Sequence, residues 1–171
     1  MAHVDESEFR RAFERLLPSA EALASRITGD RSLGQEVAAE ALTRLYVRWR
    51  RLADRPYMDA WVMRVTANLA LDQHRKARRR GARPTAGASS DPEMVVIDRL
   101  VLTDALARLP RRQREAVTLR YLGDMPEDQV AHVLGVTRGS VKTHLHRGIT
   151  GLRAALDLAT TEEAEARLAG H

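Results

Sequence analysis

The chain has 171 residues, 44% hydrophobic and 30% charged, with a formal net charge of +5, which is typical of a globular protein with one domain or two small ones. The absence of cysteine excludes disulfides, thiolate metal sites and a cysteine nucleophile. No apolar run approaches the roughly 18 residues of a membrane span, and residues 1–11 lack the apolar core of a signal peptide, so we expect a cytoplasmic protein without membrane insertion.

Apolar residues recur at helical spacing in three segments of the first half. Three helices are therefore predicted, over residues 9–24, 33–51 and 57–80. Pro18 lies inside the first and is expected to kink or break it, because proline lacks the backbone N–H that a helix uses. No alternation typical of a strand is found in the sequence.

Polar residues mark one face on each of the last two helices. The second helix has a face of mixed charge, which is either solvated or used by a partner helix, and its members include Glu36, Glu40 and Arg44. The buried stripe of the third helix is predicted to be Met58, Val62, Val65 and Leu69. Beside that stripe lies a strip with an aromatic ring, an amide and charges: Trp61, Arg64, Asn68, Asp72 and Arg75.

This strip on the third helix has two interpretations. A ring on which bases can stack, with guanidinium groups for phosphates, suits single-stranded DNA. Alternatively, Trp61 belongs to the core and Asp72 pairs with Arg75 or Lys76 at an exposed helix edge. Both interpretations fit the spacing.

The middle of the chain separates two helical halves. Residues 81–92 are small and turn-forming without periodicity, which predicts a flexible linker. Residues 73–90 contain six basic and no acidic side chains, and residues 108–153 contain nine basic and four acidic ones. Two basic segments favour a polyanion contacted twice, because Lys and Arg release counterions when they neutralise phosphates; a solubilising charge pattern is the alternative.

Beyond the linker, the pattern predicts helices over residues 94–109 and 111–122. Pro110 separates these two helices. A helix-turn-helix is predicted over residues 126–147. The acidic tail, residues 157–171, is expected to be helical at first and frayed at its end.

The helix-turn-helix prediction depends on a break in the apolar pattern. Helical spacing holds up to Gly135 and resumes after it, through Val130, Val133, Leu134, Val141 and Leu145. Gly135 suits a turn position that needs positive φ, and the Thr137 hydroxyl can cap the second helix. Helix pairs joined by a glycine turn also occur in proteins that never meet DNA.

The second helix of this pair has an apolar face and a polar face. The apolar face consists of Val141, Leu145, Ile149, Leu152 and Leu156. The polar face carries hydrogen-bonding side chains, namely Ser140, Thr143, His146, Arg147 and Thr150, with Lys142 at its border. A recognition helix in a DNA major groove needs this division, and a bundle helix with a solvated face is the alternative.

Motifs in both halves resemble one family. In the second half they are Leu109-Pro110, Arg114-Glu115, Leu119-Arg120-Tyr121-Leu122, Leu134-Gly135-Val136 and Gly139-Ser140-Val141-Lys142. In the first half they are Gly34-Gln35-Glu36, Leu45-Tyr46, Trp61 and Asn68-Leu69-Ala70-Leu71-Asp72. With these motifs the chain resembles bacterial RNA polymerase sigma factors of the extracytoplasmic-function group, the short members of the sigma-70 family that keep only the region 2 and region 4 domains.

The resemblance implies an all-α protein with two small helical domains. A region 2 bundle of three to four helices is expected over residues 1–80, and a region 4 helix-turn-helix domain over residues 93–156, joined by the linker 81–92 and followed by the tail 157–171. The implied function is to bind core RNA polymerase and direct promoter-specific initiation. No catalytic residue, metal or cofactor is expected, because the polymerase carries out the chemistry.

The resemblance also implies roles for single residues. Contact with the minus-35 promoter element is expected from Arg138, Ser140, Lys142, Thr143, His146 and Arg147. Opening and holding of the minus-10 element is expected from Tyr57, Trp61, Arg64, Asn68, Asp72 and Arg75. Binding to the β′ clamp helices of the polymerase is expected from Glu36, Glu40 and Arg44. The β flap and an anti-sigma factor are further candidate partners.

Three other functions are alternatives. A LuxR-type regulator would bind duplex DNA without polymerase, since Val141-Lys142-Thr143-His144 also resembles its recognition helix, but its receiver or ligand domain would need strands. A metal hydrolase would use some of the six histidines, yet His144 and His146 point to different helix faces. An adaptor that kept the fold and lost DNA binding is the third.

Overall fold

The computed structural model describes residues 6–79 and 93–169, and every regular element in these ranges is helical, which confirms the predicted all-α class. In chain order the elements are α1 (Glu6–Thr28), α2 (Arg31–Val47), α3 (Trp49–Leu52), α4 (Met58–Arg79), α5 (Glu93–Arg108), α6 (Arg111–Val117), a π-helical segment (Thr118–Leu122), α7 (Glu127–Leu134) and α8 (Arg138–Ala169). The predicted linker, residues 81–92, lies outside the described residues. Within the described ranges, no helix is both long and apolar enough to cross a membrane.

Helices α1, α2 and α4 pack together around a core of large aliphatic side chains that includes Leu23, Leu45 and Leu71. Each such side chain stabilises the fold by about 1.5–3 kcal/mol when it is buried. The α1–α2 crossing is close at Gly34, where a Cβ would lie 2.1 Å from the Ser25 Oγ. A residue without a side chain is therefore needed at this crossing.

Helix α1 runs from Glu6 to Thr28 without interruption, so the expectation that Pro18 breaks it is wrong. An interior proline costs a helix about 3 kcal/mol. Three residues on the packed face around it, Leu16, Ala20 and Leu23, are buried. Their burial against α2 and α4 outweighs the lost backbone hydrogen bond.

The second predicted helix is divided in two. Helix α2 begins after Asp30, whose carboxylate accepts a hydrogen bond from the backbone N–H of Leu33 at 3.0 Å. It ends at Val47, because Arg48 leaves helical geometry with φ −106° and ψ 10°. The short α3 then buries Trp49, which packs edge-on against Phe9 with ring centroids 5.3 Å apart.

The predicted buried stripe of α4 is correct for Met58 and Val62 and wrong for Val65 and Leu69, which are only partly buried. Small side chains take a large share of the buried face: Ala60, Thr66, Ala67 and Ala70. Small residues let neighbouring helices approach α4 closely, and α4 contacts elements of both halves. The spacing of large apolar residues therefore identifies only part of the buried face of α4.

In the second half, α5, α6 and α7 pack against α8. The predicted helix 111–122 changes after Val117 into the π-helical segment, which ends with a hydrogen bond from the Gly123 N–H to the Thr118 carbonyl at 2.9 Å. Helix α8 runs on to Ala169, so the acidic tail begins as part of the same helix. The predicted helical start of the tail is confirmed.

We expect Gly135→Ala to lower the free energy of unfolding by about 1–2 kcal/mol, because Gly135 has φ +64° and a side chain disfavours that conformation. The added methyl itself meets no atom within 4 Å, so backbone strain alone is tested. Urea unfolding followed by circular dichroism measures the change. The matched control is Gly139→Ala in the first turn of α8, which should be neutral or stabilising by up to about 1 kcal/mol. Equal destabilisation by both substitutions would contradict the strain argument.

Candidate nucleic-acid interface

The turn between α7 and α8 has the geometry of a helix-turn-helix. Gly135 ends α7 in the left-handed region, and its neighbour Val136 donates its N–H to the Ala131 carbonyl at 3.0 Å. The Thr137 hydroxyl accepts from the Ser140 N–H at 3.1 Å and so caps α8, as predicted. Val141 is fully buried against α7, which fixes how α8 crosses it.

The first three turns of α8 present the six residues predicted to contact duplex DNA. Arg138, Lys142, Thr143, His146 and Arg147 are exposed, and Ser140 is half-buried. Lys142, His146 and Arg147 have no ion pair with any part of the chain that the structure describes. This face therefore presents hydrogen-bond donors and positive charge to solvent.

Three members of this set are already engaged inside the protein. The Arg138 guanidinium pairs with the Glu127 carboxylate at 3.1 Å. The Ser140 hydroxyl lies 2.9 Å from the Thr137 hydroxyl and belongs to the cap. The Thr143 hydroxyl donates to the Gly139 carbonyl at 3.1 Å, which leaves its oxygen as an acceptor.

The predicted minus-10 strip on α4 faces the second half of the chain. Arg64 donates to the Glu115 carboxylate at 3.3 Å and to the Val133 carbonyl at 3.1 Å. Asn68 donates its amide N–H to the same Glu115 oxygen at 3.2 Å. Arg75 donates to the Ala107 carbonyl at 2.6 Å. Donors proposed for DNA are thus satisfied by residues of α5, α6 and α7.

Tyr57 and the other members of the strip lie around this contact. The Tyr57 ring packs on the His132 ring of α7, with centroids 4.9 Å apart. Trp61 is half-buried, with the Arg48 guanidinium 5.9 Å from its ring centroid. Asp72 is exposed and pairs with Arg75 at 3.6 Å, which is the pairing that the helix-edge interpretation predicts.

Glu115 is the residue that sequence reasoning missed at this site. Its side chain is 1% exposed, and Arg111 and Arg112 of the same helix also donate to it, at 3.2 and 3.4 Å. Burial alone would raise the pKa of this carboxyl, but Arg64, Asn68 and Arg111 together hold its pKa below the ordinary value. The available signal was a lone acidic residue among the five basic residues of positions 108–120.

The three residues predicted to bind the polymerase lie on one helix and are exposed. Arg44 pairs with Glu40 at 2.8 Å, and Glu36 lies one turn before Glu40. At the end of α2, Tyr46 is 49% exposed and Val47 is 74% exposed. Exposed apolar side chains beside an exposed charged face are typical of a protein-binding surface, and the prediction had not included them.

Comparison with known proteins agrees with both halves of this geometry. The model of sigma-70 region 2 matches residues 12–80, and the model of sigma-70 region 4 matches residues 99–150. The extracytoplasmic-function RNA polymerase sigma factor SigL of Mycobacterium tuberculosis is 32% identical over 142 residues, which cover 78% of this chain and 80% of SigL. The RNA polymerase sigma-E factor of Streptomyces avermitilis is 32% identical over 161 residues, covering 92% of this chain and 89% of that protein.

The chain belongs to the extracytoplasmic-function sigma factors. The fold of this sigma factor is also similar to the solved structure of the sigma factor RpoE in complex with the anti-sigma factor NepR from Bartonella quintana. That likeness has a TM-score of 0.57 at 20% identity and covers 88% of this chain and 98% of RpoE. The region 4 match of this sigma factor ends at residue 150, inside α8, so the helix extends beyond the matched region.

We expect the Glu115 carboxylate to stabilise this sigma factor at neutral pH and to stop doing so in acid. A carboxyl whose pKa is lowered by folding contributes stability above its unfolded value of about 4.5, and the contribution disappears as the pH falls through the folded pKa. Glu115→Gln should therefore cost about 1–3 kcal/mol at neutral pH, with a cost that shrinks in acid. Urea unfolding at a series of pH values measures both. Glu36→Gln, at an exposed carboxylate of α2, is the matched control, and a cost for Glu115→Gln that does not change with pH would contradict the prediction.

Proposed function

We propose that this sigma factor binds core RNA polymerase and directs it to promoters by binding DNA at two sites, the minus-35 and the minus-10 elements. The proposal rests on one observation: the two halves that match sigma-70 regions carry different sets of side chains suited to DNA. The exposed face of α8 suits the edges of a duplex, whereas the strip on α4 combines a ring, an amide and guanidinium groups suited to an opened strand.

In the duplex-reading half, Arg147 is the strongest candidate for reading a base. It is exposed on the third turn of α8, and an arginine can donate two hydrogen bonds to a guanine. Ser140 and Thr143 lie nearest the bases in this proposal. Arg138, Lys142 and His146 are assigned to the phosphates, where positive charge contributes affinity without sequence preference.

In the strand-holding half, Tyr57 and Trp61 are the candidates for stacking on an extruded base. Arg64 and Arg75 would hold phosphates, while Asn68 and Asp72 would bond base edges. Unstacking a base costs a few kcal/mol, which such stacking and phosphate contacts can offset. The partly buried position of Trp61, with one side of its ring near Arg48, is compatible with this role.

The partners follow from the same proposal. Glu36, Glu40 and Arg44, with the exposed Tyr46 and Val47 beside them, are assigned to the β′ clamp helices, and the second half is assigned to the β flap. An anti-sigma factor is a further partner, since a structural neighbour is a sigma factor in complex with one. The chain acts where polymerase and promoter meet, in the cytoplasm, and it supplies binding while the polymerase supplies catalysis.

We assign the domains as residues 1–80 and 93–156, with the linker 81–92 between them. The two family matches, over residues 12–80 and 99–150, support this division. Residues 157–171 remain a separate segment in composition, although α8 continues into them. The LuxR-type alternative is not favoured, because the first half matches sigma region 2.

Run-off transcription tests the proposed function directly. With purified core polymerase and a library of genomic promoter fragments, we expect the chain to start discrete transcripts that core polymerase alone does not make. Omission of the chain is the control. If no fragment yields an added start site, the chain is not an initiating sigma factor.

The role of Arg147 can be tested on a promoter identified in that way. We expect Arg147→Ala to weaken binding to the minus-35 duplex by about 1–3 kcal/mol, because a bidentate contact to guanine is lost. Fluorescence anisotropy with the native and a scrambled duplex measures the change. Arg153→Ala, at an exposed arginine on another face of α8, is the matched control. Equal weakening on both duplexes would show that Arg147 contacts only phosphate.

A further inference from the structure

The break between α2 and α3 places an arginine beside the strip on α4. At Arg48 the backbone leaves helical geometry, with φ −106° and ψ 10°. Two hydrogen bonds hold this position: the Arg48 N–H donates to the Leu45 carbonyl at 3.0 Å, and the Arg48 carbonyl accepts from the Arg51 N–H at 2.9 Å. The next residue, Trp49, is buried, so the backbone at Arg48 is fixed from both sides.

The Arg48 side chain contacts the ring of Trp61. Its guanidinium carbon lies 5.9 Å from the centroid of the ring, which is near the outer limit of a cation–π contact. A guanidinium at this distance orients the ring without being bound tightly to it. Trp61 belongs to α4 and Arg48 follows α2, so the contact joins side chains of two different elements.

The charge of Arg48 has no acidic partner in the part of the chain that the structure describes. Its side chain is exposed and forms no ion pair there. By contrast, Arg44 pairs with Glu40 at 2.8 Å. Arg64 pairs with Glu115 at 3.3 Å. Arg48 can therefore neutralise the charge of a ligand without first losing an internal ion pair.

An aromatic ring with a guanidinium beside it matches the two parts of a nucleotide. The base stacks on the ring, and the phosphate accepts charge-assisted hydrogen bonds from the guanidinium. A base stacked on Trp61 brings its own phosphate close to the ring, within reach of the long Arg48 side chain. Moving the guanidinium from ring to phosphate exchanges a weak contact for a stronger one between opposite charges. Because both faces of a base are covered in a duplex, this pair suits a single strand.

We propose that Arg48 and Trp61 form one nucleotide subsite, in which Arg48 orients the ring in the free chain and binds the phosphate of the base that stacks on it. The proposal rests on the assignment of Trp61 to the opened strand, and it adds a residue from outside α4. Periodicity along α4 carries no signal of such a residue. The contact of Arg48 is to the backbone of single-stranded DNA, so it adds affinity without preference for a base.

The fluorescence of Trp61 tests the ring contact without any assumption about DNA. The chain has two tryptophans, so Trp49→Phe leaves Trp61 as its only one. In that background, Arg48→Ala should move the emission to longer wavelength and increase its quenching by acrylamide, because the ring loses a neighbour that covers it. Arg31→Ala, at an exposed arginine at the other end of α2, is the matched control and should change neither. Unchanged emission and quenching in Arg48→Ala would overturn the proposal.

Binding to a forked promoter fragment tests the phosphate contact. The holoenzyme is titrated with a fluorescent fragment that is duplex at the minus-35 element and single-stranded at the minus-10 element. We expect Arg48→Ala to weaken this binding by about tenfold, the loss expected for one charge-assisted hydrogen bond. The slope of log affinity against log salt should fall in magnitude by about 0.7, which corresponds to one phosphate of a single strand. Arg31→Ala should change neither quantity.

Two comparisons separate a phosphate contact from other effects of the substitution. Arg48→Lys keeps the charge and should keep the native salt slope. A duplex fragment that ends before the minus-10 element should bind the Arg48→Ala holoenzyme as tightly as it binds the native one. Equal weakening on both fragments, or native affinity for the forked fragment, would overturn the proposal. Circular dichroism checks that each variant keeps its helices, and Arg48 is exposed, so its variants need no repacking of the core.

The outcomes separate this proposal from the proposed function. If Trp61→Ala leaves binding to the forked fragment unchanged, α4 does not hold the strand, and this proposal fails together with that assignment. If Trp61→Ala weakens binding and Arg48→Ala does not, only this proposal fails. If both weaken it, and the double substitution weakens it by less than the product of the two, the side chains act as one subsite. If the run-off assay yields no promoter, the strand contact is rejected with the proposed function, whatever the fluorescence shows.

Discussion

The burial of the Glu115 carboxylate is the constraint on which the arrangement of the two halves depends. A carboxylate that is 1% exposed costs several kcal/mol unless charged donors surround it. Arg111 and Arg112 come from its own helix, but Arg64 and Asn68 come from α4, so the first half completes the charge compensation. Moving α6 away from α4 would remove Arg64 and Asn68 from this carboxylate. The hydrogen bonds of Glu115 therefore favour the observed orientation of the two halves.

Arg64 and Arg112 also stabilise α7, the helix before the turn of the helix-turn-helix. Arg64 donates to the Val133 carbonyl and Arg112 to the Leu134 carbonyl, each at 3.1 Å. These carbonyls belong to the last turn of α7, where a helix leaves acceptors unsatisfied and carries partial negative charge. Guanidinium groups from two other helices thus act as its cap. The position of the turn at Gly135 therefore depends on the contact between the halves as well as on the core of the second half.

The features that were predicted correctly from the sequence are those that depend on residues close together in the chain. The all-helical class, the positive φ of Gly135 and the Thr137 cap each depend on neighbouring residues, and the structure confirms them. The break at Arg48 and the π-helical segment were missed, because apolar periodicity does not distinguish a continuous α-helix from an interrupted or π-helical one. Glu115 and Arg64 are 51 positions apart, and periodicity along one helix carries no signal of such a pair. The assignments of single residues to DNA and polymerase come from chemistry and resemblance, and they stay predictions.

The contact between the halves places the two candidate DNA-binding surfaces in different environments. On α8, Lys142, His146 and Arg147 are exposed and have no ion pair with the described residues. On α4, Arg64 and Asn68 donate to the buried Glu115 carboxylate and compensate a charge whose burial would otherwise cost several kcal/mol. Substitutions at Arg64 and Asn68 therefore change the stability of the fold as well as any binding by α4, whereas substitutions at Lys142 and Arg147 remove no internal ion pair.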